Sequence, residues 1–182
     1  LDPQSGTSLE IGSSGDTISV PSGATINLSN ATQTGVGGVM TPAFHAKFTS
    51  NQSISHDTAT KIQFNSEVFD TDGTYDHSTN YRWTPAVTGK YIIGVGFWLN
   101  ADQISTTTVL LYKNGSSILR GDTRHDSHTR QWVTAVFPVT VSNTSDYFEA
   151  YAQGETYNSA NLNIMGNAST DYNYFYGYKI IE

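Results

Sequence analysis

From Phe44 onward, apolar and polar side chains alternate with a period of two. Phe44, Ala46 and Phe48 fall on one face with His45 and Lys47 on the other, the pattern of a half-buried strand, and Ile62 and Phe64 repeat it in a shorter piece. Lys90 to Leu99 differs: Tyr91, Ile93, Val95, Phe97 and Leu99 form one face while Ile92, Gly94, Gly96 and Trp98 form the other, so neither side suits water. An antiparallel strand that is apolar on both sides needs a second cover beyond its own core. That cover is another subunit, which Gly94 and Gly96 would let approach closely, or a loop of the same chain. Val109-Leu110-Leu111-Tyr112-Lys113 leads into Asn114-Gly115, a pair suited to the positive φ angles of a type I′ turn, and then into Ile118-Leu119, which predicts a hairpin. Strands follow at Trp132 to Val141, Tyr147 to Ala152, Leu162 to Ile164 and Tyr172 to Ile181, and no helix is predicted. The last of these carries Tyr172, Tyr174, Tyr176, Tyr178 and Ile180 on one face. Rings that are apolar yet able to hydrogen-bond suit a subunit interface, or the outer face of a sheet.

Residues 1–41 follow another rule. Leu9-x-Ile11, Ile18-x-Val20 and Ile26-x-Leu28 are short apolar pairs recurring every eight or nine residues between Gly, Ser, Asp and Pro. Each is too short to bury a sheet face alone, so the segment predicts a neck of minimal strands stacking against copies of themselves, or a polar linker. Thr34-Gly35-Val36-Gly37-Gly38 reads as the boundary, and residues 42–182 as the head.

Composition agrees with an all-β chain. A length of 182 residues accommodates one sandwich and an accessory segment, and charged residues make up only 14% against a background of Asn, Ser, Thr and Gly. Nine Lys plus Arg against sixteen Asp plus Glu, a net charge of -7, leave no basic stripe for a nucleic acid backbone. No apolar run approaches the roughly 18 residues of a membrane span. The lack of Cys removes disulfides and thiolate chemistry together. The chain opens Leu1-Asp2-Pro3 without an initiator Met, as expected of a processed or excised piece.

Tyr75-Asp76-His77-Ser78-Thr79-Asn80-Tyr81-Arg82-Trp83-Thr84-Pro85-Ala86-Val87-Thr88-Gly89-Lys90-Tyr91-Ile92 resembles the signature of the C1q family, which runs Tyr-Asp, Thr, aromatic, Pro, Gly, then Tyr and an apolar residue. Ala43-Phe44-His45-Ala46 resembles the family's opening strand, Leu111 to Gly115 its central hairpin, and Tyr174-Phe175-Tyr176-Gly177-Tyr178 its closing strand, in the same chain order. The resemblance covers about three quarters of the chain. It implies a ten-stranded jelly-roll β-sandwich of the C1q and tumour-necrosis-factor type, assembled as a homotrimer with the termini at its base. The shared axis would then be lined by Tyr91, Ile92, Gly94, Gly96, Trp98, Tyr174, Tyr176 and Tyr178. The chain departs from the family in lacking a collagen stalk, and Ser145-Asp146-Tyr147 stands where a Gly-Asp is expected. A glycine- and threonine-rich neck feeding such a head looks like phage and other viral fibre proteins.

No Gly-x-Ser-x-Gly, His-Glu-x-x-His or phosphate loop is present, so the chain reads as a non-enzyme. Arg120 to Arg130, between two predicted strands, is the densest charged stretch and is expected to be a loop. Arg124, His125, Asp126, His128 and Arg130 within it could hold a glycan or carboxylate by charged hydrogen bonds, or be simply solvated. No cofactor is required. Calcium is the one possible ion: Asp122 and Asp126 resemble the position of calcium-binding acids in some C1q-like proteins, while Asp70-Thr71-Asp72-Gly73 with Asp76 reads first as a turn. The Asn-x-Ser/Thr sequons at Asn27, Asn30, Asn51, Asn114, Asn143 and Asn167 are those chance supplies in this composition. The combined expectation is a trimeric head on a virion surface or outside a cell, meeting a host-surface glycan or protein and joined to other virion proteins through its N-terminus. A decoration protein without a receptor role, or a secreted lectin, are the alternatives.

Overall fold

The computed structural model describes residues 11–27, 40–167 and 173–180, and the chain divides into two compact units, Leu1–Gly37 and Gly38–Glu182. In the first unit, residues 11–27 hold tight turns but no strand, and Ile11, Ile18, Val20 and Ile26 lie exposed. Leu9, Leu28 and the Thr34–Gly38 boundary, on which the neck or linker expectation also rests, fall outside the described residues.

The second unit is all-β. Its described residues form eleven strands: β1 (Ala43–Lys47), β2 (Gln52–Ile54), β3 (Thr60–Lys61), β4 (Ser66–Asp70), β5 (Tyr75–Asp76), β6 (Arg82–Trp83), β7 (Gly89–Lys113), β8 (Ser116–Val141), β9 (Phe148–Thr156), β10 (Leu162–Ile164) and β11 (Tyr174–Lys179). Every pairing is antiparallel. The architecture is one long hairpin rolled on itself. β7 and β8 pair from Gly89↔Val141 through to Lys113↔Ser116, and the turn between them has positive φ at Asn114 (52°) and Gly115 (78°), as the Asn-Gly dipeptide requires. The first half of β7 also pairs with β11, β11 with β1 and β1 with β4, while its second half pairs with β9. Between the halves the register shifts at Asn100/Ile104 and Ile104/Thr106, where Gln103 and Ser127 take positive φ. Bulges of this kind let a strand leave one layer and enter the other. The strand count exceeds the ten implied by the resemblance because several short pieces pair separately, even though β7 and β8 each run through the bend as one strand.

The loop expected at Arg120 to Arg130 does not form. The stretch is part of β8, paired to β7 through Arg120↔Leu110, Asp122↔Thr108 and Arg124↔Thr106. Its sequence hides this because the stretch is polar throughout, so no apolar period marks it; the backbone ladder to β7 holds it instead.

The core follows the period-two reading. Phe44, Ala46, Phe48, Ile62, Phe64, Ile93, Val95, Phe97 and Leu99 are all buried. The stretch that resembles the C1q signature supplies its centre: Phe44 packs on Tyr75 (4.9 Å), Trp83 (4.6 Å) and Phe175 (4.8 Å). The Tyr75 hydroxyl donates to the Phe64 carbonyl at 2.8 Å, and burial pushes its pKa up. Asp76 is a turn-former, accepting from the backbone N–H groups of Ser78, Thr79 and Asn80. Asp70 likewise folds onto its own turn, accepting from the Tyr75 and Asp72 N–H groups. Asp146, from the segment that departs from the family, clamps the hairpin: its carboxylate pairs with Lys113 at 2.7 Å and accepts from the Asn114 side chain at 2.8 Å.

Tyr91 does not take the interface position expected of it. It faces inward, fully buried, with its ring 5.5 Å from Trp83 and its hydroxyl donating to the Val87 carbonyl, so it belongs to the core and not to an interface. Strand alternation decides this, since Tyr91 shares parity with Ile93 and Val95.

Candidate functional site

Two surfaces of the second unit are unusual for a lone domain. The first is the outer face of the layer formed by β1, β11 and the adjoining halves of β7 and β8. Gly94 and Gly96 face outward here, and the rings of Tyr176 and Tyr174 on β11 lie directly over them: a Cβ at Gly94 would stand 2.3 Å from the Tyr176 ring, and one at Gly96 2.5 Å from Tyr174. The close approach expected of these glycines is therefore made first by the chain's own tyrosines. The result is a continuous aromatic strip. Trp98 meets Trp132 (5.7 Å), Trp132 meets Tyr174 (5.7 Å), and Tyr174, Tyr176 and Tyr178 follow at 5.6 and 6.3 Å.

Ile92 is half-buried on the same face, Val136 beside it is 56% exposed, and Thr134 shares a hydrogen bond of 2.6 Å with the Tyr174 hydroxyl. A shallow apolar groove of about 270 Å³ continues the strip between the tyrosines and His45 and Phe69 of β1 and β4. A contiguous apolar strip is what monomeric proteins rarely leave open to water. Tyr172 lies outside the described residues.

The second surface is a polar cleft of about 480 Å³ at the bend of the β7–β8 hairpin. Its floor is set by register: Thr106 on β7 pairs with Arg124 of β8 on one side and with Glu155 of β9 on the other, and Thr108 pairs with Asp122. Directly paired residues point to one face, so Arg124, Thr106 and Glu155 form a row with outer Cα atoms about 9.5 Å apart, two strand spacings. His56, Ser105, Arg120, His125, Thr156 and Tyr157 complete the lining. Asp122 accepts from Arg120 (2.8 Å) and from the Thr108 hydroxyl (2.7 Å), and these bonds hold its carboxyl below the usual carboxylate range. His125 Nε2 contacts the Thr107 hydroxyl at 2.9 Å; burial first and the nearby His128 ring second push its pKa down. The Tyr157 hydroxyl donates to the His125 carbonyl, and the Thr156 N–H donates to His56 Nδ1, which puts the neutral ring's proton on Nε2.

Of the residues singled out from the sequence, Arg124 and His125 line this cleft, His128 stands beside it at 6.2 Å from the His125 ring, and Asp126 and Arg130 are exposed outside its lining. Asp122 lines it as a partner of Arg120, and among the described residues no three His, Cys, Asp or Glu side chains converge. Sequence reading missed His56, Glu155 and Tyr157; His56 lies about 100 residues before the other two and meets them through the Thr156 N–H bond to its ring. The one available signal was the polar Glu155-Thr156-Tyr157 ending a strand. The cleft also lies far from where the first and last described segments of the second unit meet. Lys90 accepts from the Ile180 N–H, and Lys179 donates to Pro42, whereas Asn100 is ten residues further along β7, about 33 Å away.

The chain matches no protein-family model and no curated protein. Among solved structures it is similar to the globular domain of zebrafish complement 1qA, at 15% identity over 76% of this chain and 97% of that one, with a TM-score of 0.51. It is similar to the Eiger TNF of S. frugiperda, at 10% identity over 76% and 91%, with a TM-score of 0.53. Murine APRIL follows at 12% identity over 76% and 98%, with a TM-score of 0.55. The fold is a C1q/TNF-like jelly roll.

Proposed function

We propose that this jelly roll is a non-enzymatic, homotrimeric recognition head, carried on a virion fibre or comparable appendage and binding a host-surface ligand, in the first place a glycan. The observation that carries the reading is the aromatic strip from Trp98 to Tyr178. Three copies meeting around an axis would bury it, and rings that keep a hydroxyl for hydrogen bonding suit such a seam. Ile92, Gly94, Gly96, Trp98, Tyr174, Tyr176 and Tyr178 are then the seam residues. The short apolar pairs of residues 1–41 support an appendage setting, because a trimeric neck would cover Ile11, Ile18, Val20 and Ile26, which lie exposed in one chain. The bend of the β7–β8 hairpin, remote from the paired ends of the second unit, is the part such a head would present outward.

A hydrolytic role for the cleft is disfavoured by the same geometry. The His125–Thr107 contact has the form of a base beside a hydroxyl, but Thr107 is fully buried and offers no oxygen to a substrate. Light scattering of the purified chain at micromolar concentration tests the assembly, with a trimer expected and a monomer overturning it. Binding to whole host cells tests recognition separately. Assembly without any cell or glycan binding would favour a purely structural role on the particle.

A further inference from the structure

The geometry points to the cleft at the β7–β8 bend as a site for an acidic sugar, a saccharide bearing a carboxylate, with Arg124 as the carboxylate's partner and Glu155 as the acceptor for its hydroxyls. This rests on the recognition reading and adds the ligand's chemistry to it.

The cleft is lined by polar groups. Apart from the ring of Tyr157, which is 60% exposed, its lining consists of hydroxyl, imidazole, guanidinium and carboxylate groups. An apolar ligand would desolvate these groups and return no hydrogen bonds, while a polyol returns one for each. The volume of about 480 Å³ lies within the ~300 to 1,000 Å³ of small-molecule sites.

Charge then selects among polyols. Arg120 and Asp122 are committed to each other by two hydrogen bonds from the guanidinium, at 2.8 and 3.2 Å. The Arg124 side chain forms no hydrogen bond or ion pair among the described residues, and neither does that of Glu155, although the register sets them on either side of Thr106. A guanidinium presents a planar fork that takes a carboxylate through two parallel N–H donors, whereas a carboxylate only accepts and so calls for hydroxyl or amide donors. A ligand carrying both within one ring's breadth bridges the row. The two carboxylates of the lining oppose a multiply charged phosphate or a polyanion. Tyr157 supplies a ring face for the sugar's C–H side, and His56 and His125 flank it.

The test uses the full chain on an immobilised oligosaccharide array with sialylated and glucuronate-terminated glycans beside their neutral counterparts, followed by calorimetry with the best monosaccharide. Acidic glycans should be retained at least tenfold better than neutral ones. Arg124→Gln and Arg124→Lys should each lower that binding by about tenfold or more, since Lys keeps the charge but loses the fork. Glu155→Gln should weaken acidic and neutral glycans alike, and Lys90→Gln, at the opposite end of the domain, should change nothing. Melting temperatures equal to the parent's establish that the variants fold. Acidic binding that survives Arg124→Gln, or neutral glycans bound as well as acidic ones, overturns the site while leaving recognition in place. Silence toward every glycan and toward whole cells removes the recognition reading itself.

Discussion

Replacing Gly94 with alanine separates the seam from the fold. The added Cβ would sit 2.3 Å from Cε1 and Cζ of Tyr176, against an ordinary contact of about 3.5 Å, so the ring must lift from the sheet by about 1.2 Å. In a lone subunit the ring's other side faces water, and the lift costs little. In a trimer the ring is held between its own sheet and a neighbour, and overpacking there costs about 1 to 3 kcal/mol. Three equivalent sites make this about 3 to 9 kcal/mol per trimer, roughly two to six decades in the association constant. Gly177→Ala is the contrasting variant, because its Cβ would meet Trp83 at 2.6 Å and Phe44 at 3.1 Å inside the sealed core, where no ring can retreat. Sedimentation equilibrium over a concentration series, with thermal melts at each concentration, reads both. Gly94→Ala should dissociate at concentrations where the parent is trimeric yet retain the fold of its monomer, whereas Gly177→Ala should melt early at every concentration. A Gly94→Ala chain that assembles like the parent would show that the tyrosine strip is not the seam.

Asp146→Ala should lower stability by about 2 to 3 kcal/mol in denaturant melts, the worth of charge-assisted bonds at a half-sealed hairpin. The Lys113 ammonium first, then the Asn114 amide and the Ser142 and Asn143 N–H groups, hold the Asp146 carboxyl far below the usual range. Its contribution is therefore complete above the unfolded value of about 3.9 and lost as pH falls below it, and Asp146→Asn should flatten that acid limb. His125 has a lowered pKa in the fold, which favours the neutral ring, so its contribution is full above about 6.5 and declines below. The melting temperature should fall between pH 7 and 5, and by less in His125→Gln. Millimolar calcium should leave the melting temperature unchanged, because Asp122 already accepts from Arg120 and Thr108; a rise reversed by chelator would establish a calcium site.

What the sequence determined by itself is whatever lies in one strand's alternation or one turn's dipeptide. Phe44, Ala46 and Phe48, the face from Ile93 to Leu99, and the Asn114-Gly115 turn were all legible, because parity and positive φ are local properties. The same parity placed Tyr91 in the core, against the interface role that the resemblance implied. Tertiary structure decided the rest. Arg120 to Arg130 became strand through its ladder to β7, which no period in its own side chains announces. Gly94 and Gly96 are explained by tyrosines some 80 residues later in the chain, and the cleft joins His56, Arg124 and Glu155 from three separate segments. Such groupings arise from pairing register across a rolled hairpin, a long-range relation that single residues do not encode.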